Sequence, residues 1–349
     1  MANLKYESFS SGYSPERSEN TDMRSPKSDI SSAENIRTAS DTGKKTYENA
    51  SDFSAHLDTA LENKEYIHWQ SDADREFNRE HIDDYDRKKR VVDKAWLETQ
   101  RSIIRENKDC FDGESIRRLS EDLDSNKIEI YTDSFFSEKY DPADGSYMVS
   151  GNRDLSDGKI RIRDSYNDEL LHHTATHETI HDMSRQDIRV TDYQKFDGEK
   201  YSKFENVRKI SGIHVVETTS CIDEGQREMV DCKDLNRNLN EGITELFTIE
   251  QMQERGENPY FSSYTENVGW AKLLRDKVGS DTVARAYFGG ELDELENKVN
   301  SMSGTRDAWK ELNRNMDAYR ITHDERYKQQ VYDILDDLDD GTSRRLVRR

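Results

Sequence analysis

Hydrophobic spacing changes period along the chain, and each change predicts a different kind of element. Residues 1–50 hold ten serines, Pro15, Pro26 and few aliphatic residues, and follow no sustained period, which predicts a disordered tail. From about Ser51 to Asp124 the apolar residues return at helical intervals, Phe77, Ile82 and Tyr85, then Val92, Trp96 and Ile103, within dense charge and without proline. This predicts a charged helical region over 51–124. Its basic run Arg87-Lys88-Lys89-Arg90 is flanked by acidic residues and is expected on a solvated helix face. Between Lys127 and Arg163 the period falls to two. Ile128 and Ile130, Tyr147 and Val149, and Ile160 and Ile162 alternate with polar residues, and Asp141-Pro142, Asp144-Gly145 and Asp157-Gly158 supply turns. A small sheet is expected, ending in a strand over Lys159–Arg163.

A helix follows almost at once, its start marked by Ser165 and Asp168 in the spacing of a capping box. Ser184 to Asn206 is polar and reads as loop, Ile210–Thr219 reads as a strand, and 220–240 reads as its return or a connection. A helix is expected from about Asn240. Further helices are expected over Thr265–Lys277, Asp281–Phe288 and Glu291–Met302, with Gly279, Gly289 and Gly304 just past their ends, and then over about Arg306–Leu338. The class is α+β, with a central domain over 125–304 and a C-terminal helix and basic tail over 305–349.

Composition narrows the partners. With 36% charged and 32% hydrophobic residues and a net charge of −21, the chain lacks the concentrated basic face that nucleic acid requires. No apolar run is long enough to span a membrane. Cys110, Cys221 and Cys232 cannot all pair within the chain and form no C-x-x-C, so a reducing compartment is expected. The N-terminus has no apolar signal region, which predicts a cytoplasmic protein, or one exported without an ordinary signal peptide.

The chemistry concentrates in His177-Glu178-Thr179-Ile180-His181. On a helix, residues four apart lie about 400° round the axis, so both histidines share a face one turn apart and can hold one metal ion. Glu178, about 100° away from His177, is placed to act on water as a general base. The implied chemistry is zinc-assisted hydrolysis, which calls for a third protein ligand. His173 is excluded, because it lies about 12 Å along the axis from His181; His172 and His173 are expected to be packed or hydrogen-bonded. Asp187 reproduces the spacing of the metzincin pattern, although Ser184 stands where that pattern has glycine. Glu241 comes with Glu245 one turn further on, which offers one carboxylate to a metal and another to a ligand histidine.

H-E-T-I-H followed by Asn240-Glu241-Gly242-Ile243-Thr244-Glu245 resembles the gluzincin branch of the zincin metallopeptidases. The resemblance covers roughly Lys127–Met302. It implies a zincin-like fold, Zn2+ bound by His177, His181 and Glu241, Glu178 as general base, and Glu245 supporting a ligand histidine. Ser263–Glu266 and Val283–Gly290 look like the helical half of small bacterial zincins. One departure is the length of the segment between His181 and Glu241, far greater than in thermolysin-like enzymes.

The expected function is that of a zinc-dependent metallopeptidase, an endopeptidase acting on a peptide or protein. Its Lys159–Arg163 strand would pair with the substrate backbone. Tyr264, Tyr287 and His214 are candidates to stabilise the oxyanion, each also readable as a packing residue. Two other readings stay open: an interaction or effector protein that keeps the fold as a scaffold and binds a partner through its flanking helices, and hydrolysis of a non-peptide amide.

Overall fold

The computed structural model describes residues 6–9, 47, 49–63, 73–125, 127–142, 148–153, 158–196, 201–223, 226–260 and 264–338. The expectations for most of the 1–50 tail, for the Asp144-Gly145 turn and for the basic tail lie outside these residues. Within the tail, Tyr6–Phe9 is an exception, since these four residues form a strand.

In chain order the elements are β1 (Tyr6–Phe9), α1 (Ala50–Asn63), α2 (Ala73–His81), α3 (Tyr85–Glu106), α4 (Gly113–Ser125), β2 (Ile128–Tyr131), α5 (Asp133–Lys139), β3 (Met148–Arg153), β4 (Ile160–Arg163), α6 (Asp168–Met183), β5 (Gln186–Phe196), β6 (Tyr201–Ser211), β7 (His214–Asp223), β8 (Gln226–Leu235), α7 (Arg237–Glu254), α8 (Thr265–Val278), α9 (Ser280–Gly289), α10 (Leu292–Ser303), α11 (Ala308–Thr322) and α12 (Glu325–Asp336). The fold is α+β. One cluster of buried apolar residues runs from Phe53 in α1 to Leu338, with Trp96, Trp270, Tyr287 and Phe288 among its largest members.

The first sheet has the order β1-β3-β4-β2, with β2 and β4 parallel and β3 antiparallel to β4. Every residue of β2 and β4 is buried, as expected for strands covered on both faces. β4 has a neighbour on either side, so the Lys159–Arg163 strand has no open edge to offer a substrate; that expectation is corrected. The strand nearest the H-E-x-x-H helix at its base residue is β3, which lies between β1 and β4.

Helix α6 is almost wholly buried, enclosed by α3, α7, β3 and β4. Its start is capped by Asn167, whose Oδ1 accepts from the amides of Glu169 (2.8 Å) and Leu170 (3.2 Å); Ser165 instead receives the Asn167 amide. The basic run ahead of it is not a solvated face. Lys88 is 1% exposed and pairs with Asp164, Lys89 pairs with Asp93, and Arg87 reaches Asp168 at the start of α6. Buried charges require such partners; the Lys88 and Arg87 pairs tie α3 to the start of the motif helix, while Lys89 and Asp93 pair within α3.

The second sheet is an antiparallel meander in the order β5-β6-β7-β8. It replaces the loop expected over 184–206, and β8 is the return strand that was one of the two readings of 220–240. Its burial is concentrated at the root, where Gly212 (φ +63°) and Ile213 turn β6 into β7 with Val215 beside them. Arg185 fixes the root, its amide donating to the Tyr287 carbonyl (2.9 Å) and its carbonyl accepting from the Gly212 amide (2.8 Å). Beyond the root β5 and β8 are exposed, so the meander is an arm inserted between α6 and α7.

The helical half follows the expected order with two changes. Gly290, rather than Gly289, is the left-handed cap of α9, and His323 (φ 52°) divides the last long helix into α11 and α12.

Candidate metal centre

Two neighbouring helices supply the site. α6 carries His177, Glu178 and His181, and α7 carries Glu241 and Glu245; all five are buried. The Nε2 atoms of His177 and His181 lie 3.1 Å apart, and Oε2 of Glu241 is 3.3 Å from the second and 3.5 Å from the first.

The hydrogen bonds behind the imidazoles fix what these atoms can do. Nδ1 of His177 donates to Oε2 of Glu245 (2.8 Å), since a carboxylate only accepts. Nδ1 of His181 lies 3.3 Å from Oγ1 of Thr244. That hydroxyl gives its own proton to the Asn240 carbonyl (2.9 Å) and receives the Tyr287 hydroxyl (2.6 Å), so it can only accept from His181. Both Nε2 atoms therefore turn lone pairs inward, toward each other and toward a carboxylate oxygen. With both imidazoles neutral three acceptors would face one another, and a cation, either a second proton on His177 or a metal ion, resolves that arrangement. Two imidazoles and one carboxylate form a ligand set suited to zinc, and their ligand atoms all lie within 4.8 Å of one another.

Without a metal ion, a proton takes the place of the cation. Burial alone would lower His177, but Glu241 and Glu245 outweigh it and raise the imidazole to about 10. Burial keeps His181 below its usual value despite Glu241. Burial pushes both carboxylates up, and the histidines overcome it, holding Glu241 and Glu245 below the ordinary carboxylate range. Glu178 behaves oppositely. Burial pushes it up to about 8, and Glu241 adds to the rise while His177 opposes it. Neither of its oxygens has a hydrogen bond of ordinary geometry, and the Arg153 backbone of β3 is directed at them.

The remaining candidates fall in different places. Asp187 is in β5, opposite Ile210, with its Oδ2 2.7 Å from Nε of Arg189. Ser184 leaves α6 in an extended conformation (φ −61°, ψ 158°) that leads into the arm, and Asp187 is not among the ligand atoms that converge with His177 and His181, so the metzincin-like reading is corrected. Tyr264 stacks on His177, with ring centroids 5.8 Å apart and planes 9° from parallel. Tyr287 lies behind His181 and supports it through Thr244. His214 is at the root of the arm, 2.6 Å from Asp234. Nε2 of His173 donates to Oε2 of Glu245 (3.3 Å), so one carboxylate holds two histidines.

A second His-Glu-Glu group, Glu98, His172 and Glu257, draws in cations of its own: Arg255 lies 3.1 Å from Glu257 and Lys94 3.7 Å from Glu98. Its charges are compensated within the chain, and it is an ion-pair network.

Several contributors carry weak sequence signals. Gly151 of β3 lies directly against Glu178, and a glycine inside a strand pattern marks such close approach. Asp182, next to His181, binds Arg153 through Nε (3.0 Å) and Nη2 (2.9 Å), which locks β3 to α6. Thr244 had no local signal at all.

No protein-family model, curated protein or solved structure matches the chain. No helix among the described residues is long and apolar enough to cross a membrane.

Proposed function

We propose that the chain is a zinc-dependent metallopeptidase of the gluzincin type, with His177, His181 and Glu241 as metal ligands. The observation that carries this reading is the convergence of two imidazole Nε2 atoms, their Nδ1 sides already engaged, and one carboxylate oxygen beside a buried Glu178 whose oxygens lack a hydrogen bond of ordinary geometry. A bound zinc ion supplies Lewis acidity, making water a stronger nucleophile and polarising a carbonyl. The protein's own part is proton handling and orientation. Glu178 takes the proton of the attacking water and passes it to the leaving amine, and a carboxyl group held near neutrality by burial suits both transfers. Glu245 and Thr244 keep the imidazoles in one tautomer and one orientation. Tyr264, against His177, is the candidate donor to the oxyanion.

A second reading, a partner-binding protein that keeps the metal site as a scaffold, is favoured by the exposed arm. Glu178 weighs against it, because a purely structural site has no use for a buried base. The two separate in one experiment. Wild-type protein is expected to carry about one zinc per chain and to cleave members of a peptide library. Glu178→Gln is expected to keep the metal and lose cleavage, and Glu241→Ala to lose both. A wild-type chain that holds zinc and cleaves nothing would leave the scaffold reading, and one that holds no metal would remove both.

A further inference from the structure

The arm ends in two outer strands, β5 and β8, and β8 exposes all ten of its residues. A bare outer strand presents unpaired amides and carbonyls to any other strand. Its side chains can reveal which strand it is built to meet.

In β8, Gln226–Leu235, five residues are charged: Arg227, Glu228, Asp231, Lys233 and Asp234. If a second β8 lies antiparallel so that Arg227 faces Asp234, then Glu228 faces Lys233, Met229 faces Cys232 and Val230 faces Asp231. Four of the five charges meet opposite charges, and two-fold symmetry repeats every pair. A shift of one residue either way sets Arg227 against Lys233 or Glu228 against Asp234, like against like. β5 has no equivalent register, since no antiparallel alignment with itself gives Asp187, Arg189, Asp192 and Lys195 all opposite partners.

The pleat tests this register independently. Facing residues must lie on the same side of a continuous sheet, and in a regular strand a residue with an even number never shares a side with an odd one. The pairs 227 with 234, 228 with 233 and 229 with 232 would all fail. β8 is not regular, however. Its ladder with β7 slips between Thr219 and Ser220, which pair with Asp231 and Met229 and leave Val230 as the extra residue. Arg227, Met229, Cys232 and Asp234 then share the side of Ile222, Ser220, Thr218 and Val216. Glu228 and Lys233 share the other, with Cys221 and Glu217. The bulge brings the charge-matched register into agreement with the pleat, and the two-fold axis falls between Val230 and Asp231.

We infer that β8 is a homodimerisation edge, joining two arms into one eight-stranded antiparallel sheet with a second copy of this chain as the occupant. The charges have partners within the chain, Arg227 with Glu205 and Asp234 with His214, while Lys233 lies 3.8 Å from Glu217. Arg227, Lys233 and Asp234 nonetheless remain between 45% and 58% exposed at the side chain and free to be shared across the edge.

Charge reversal on the full chain, followed by light-scattering mass and sedimentation, tests the register. Glu228 and Lys233 are about 17 Å apart along one strand and cannot pair within a copy. Wild type is expected to dimerise. Glu228→Lys and Lys233→Glu are each expected to weaken the dimer about tenfold or more, because each breaks two pairs and opposes like charges. The double reversal is expected to restore it to within about threefold. Glu228→Lys also lessens the overall −21 charge, so association driven by reduced repulsion would strengthen instead. A wild type that stays monomeric at high concentration, including one whose β8 captures a foreign peptide, overturns the inference. So does a dimer indifferent to the single reversals, or one that the double reversal fails to rescue.

Discussion

Gly151 and Glu178 are in direct contact: a Cβ placed on the glycine would lie 2.7 Å from Cγ of the glutamate and 2.8 Å from its Oε1. The strand can approach the base only because that position lacks a side chain. Gly151→Ala is expected to displace the Glu178 carboxylate and lower kcat about 100-fold, the usual scale for a misplaced reacting group. Zinc content is expected to stay at the wild-type level, because the atoms nearest the added methyl group belong to Glu178 and Thr174 and to none of the three metal ligands. Metal analysis beside steady-state kinetics reads both, and an alanine variant with wild-type kcat would sink the idea.

Gly242 serves packing rather than chemistry. A Cβ there would meet the Asn267 carbonyl oxygen at 2.3 Å and its carbon at 2.6 Å, both backbone atoms that cannot swing aside. Gly242→Ala is expected to force α7 and α8 apart and cost about 3 kcal/mol, measured as a fall in the denaturant midpoint. A change under about 0.5 kcal/mol would show that the helices part easily.

Glu245 is bound to two histidines and faces the metal position through only one of them. Glu245→Gln keeps the shape but removes the charge. Zinc affinity is expected to fall about 10- to 100-fold, read by competition with a chelating dye. Asp187→Ala, on the arm, is expected to leave affinity unchanged. Equal losses in the two variants would contradict the assignment.

His172 makes stability depend on pH. Burial, with Arg255 and Lys94, lowers this imidazole to about 4 from its ordinary 6.5. Between those values the unfolded chain binds the proton and the folded one does not, so stability rises with pH across the window and is lost as pH falls from 6.5 toward 4. The loss from this residue is roughly 1 to 3 kcal/mol. His172→Gln is expected to flatten that part of the curve in urea titrations at stepped pH. Parallel curves for the two proteins would show that other groups set the slope.

The motif helix, the small sheet, the helical half and the Glu241–Glu245 pair were legible in the chain because each depends on local spacing. Glu241 and Glu245 stand one turn apart and so announce a shared face. The arm was not legible. A strand shows itself by alternation when one face is buried and the other wet, and along β5 and β8 both faces are wet, so Ile188, Val190, Tyr193 and Met229 sit exposed among charges. Lys88 and Lys89 misled for a related reason: their carboxylate partners are set by packing at Asp164 and by a buried helix face at Asp93, and composition alone reads such a run as solvent-facing. Strand order is equally silent in sequence, which is why β4 could be mistaken for an outer strand.

The arm also alters how the metal centre comes together as the chain folds. His181 and Glu241 are far apart in sequence, and closing a flexible loop of that length costs entropy before any contact is made. Two hairpins built from neighbouring residues cover almost the whole interval, and both ends of the meander return to one root where Ser184 meets Ser211 (3.3 Å) and the Asn236 side chain meets the Ile213 carbonyl (3.0 Å). Once those local hairpins form, α6 and α7 are held side by side with only a few residues left to order. A long-range site thereby acquires the folding kinetics of a short-range one.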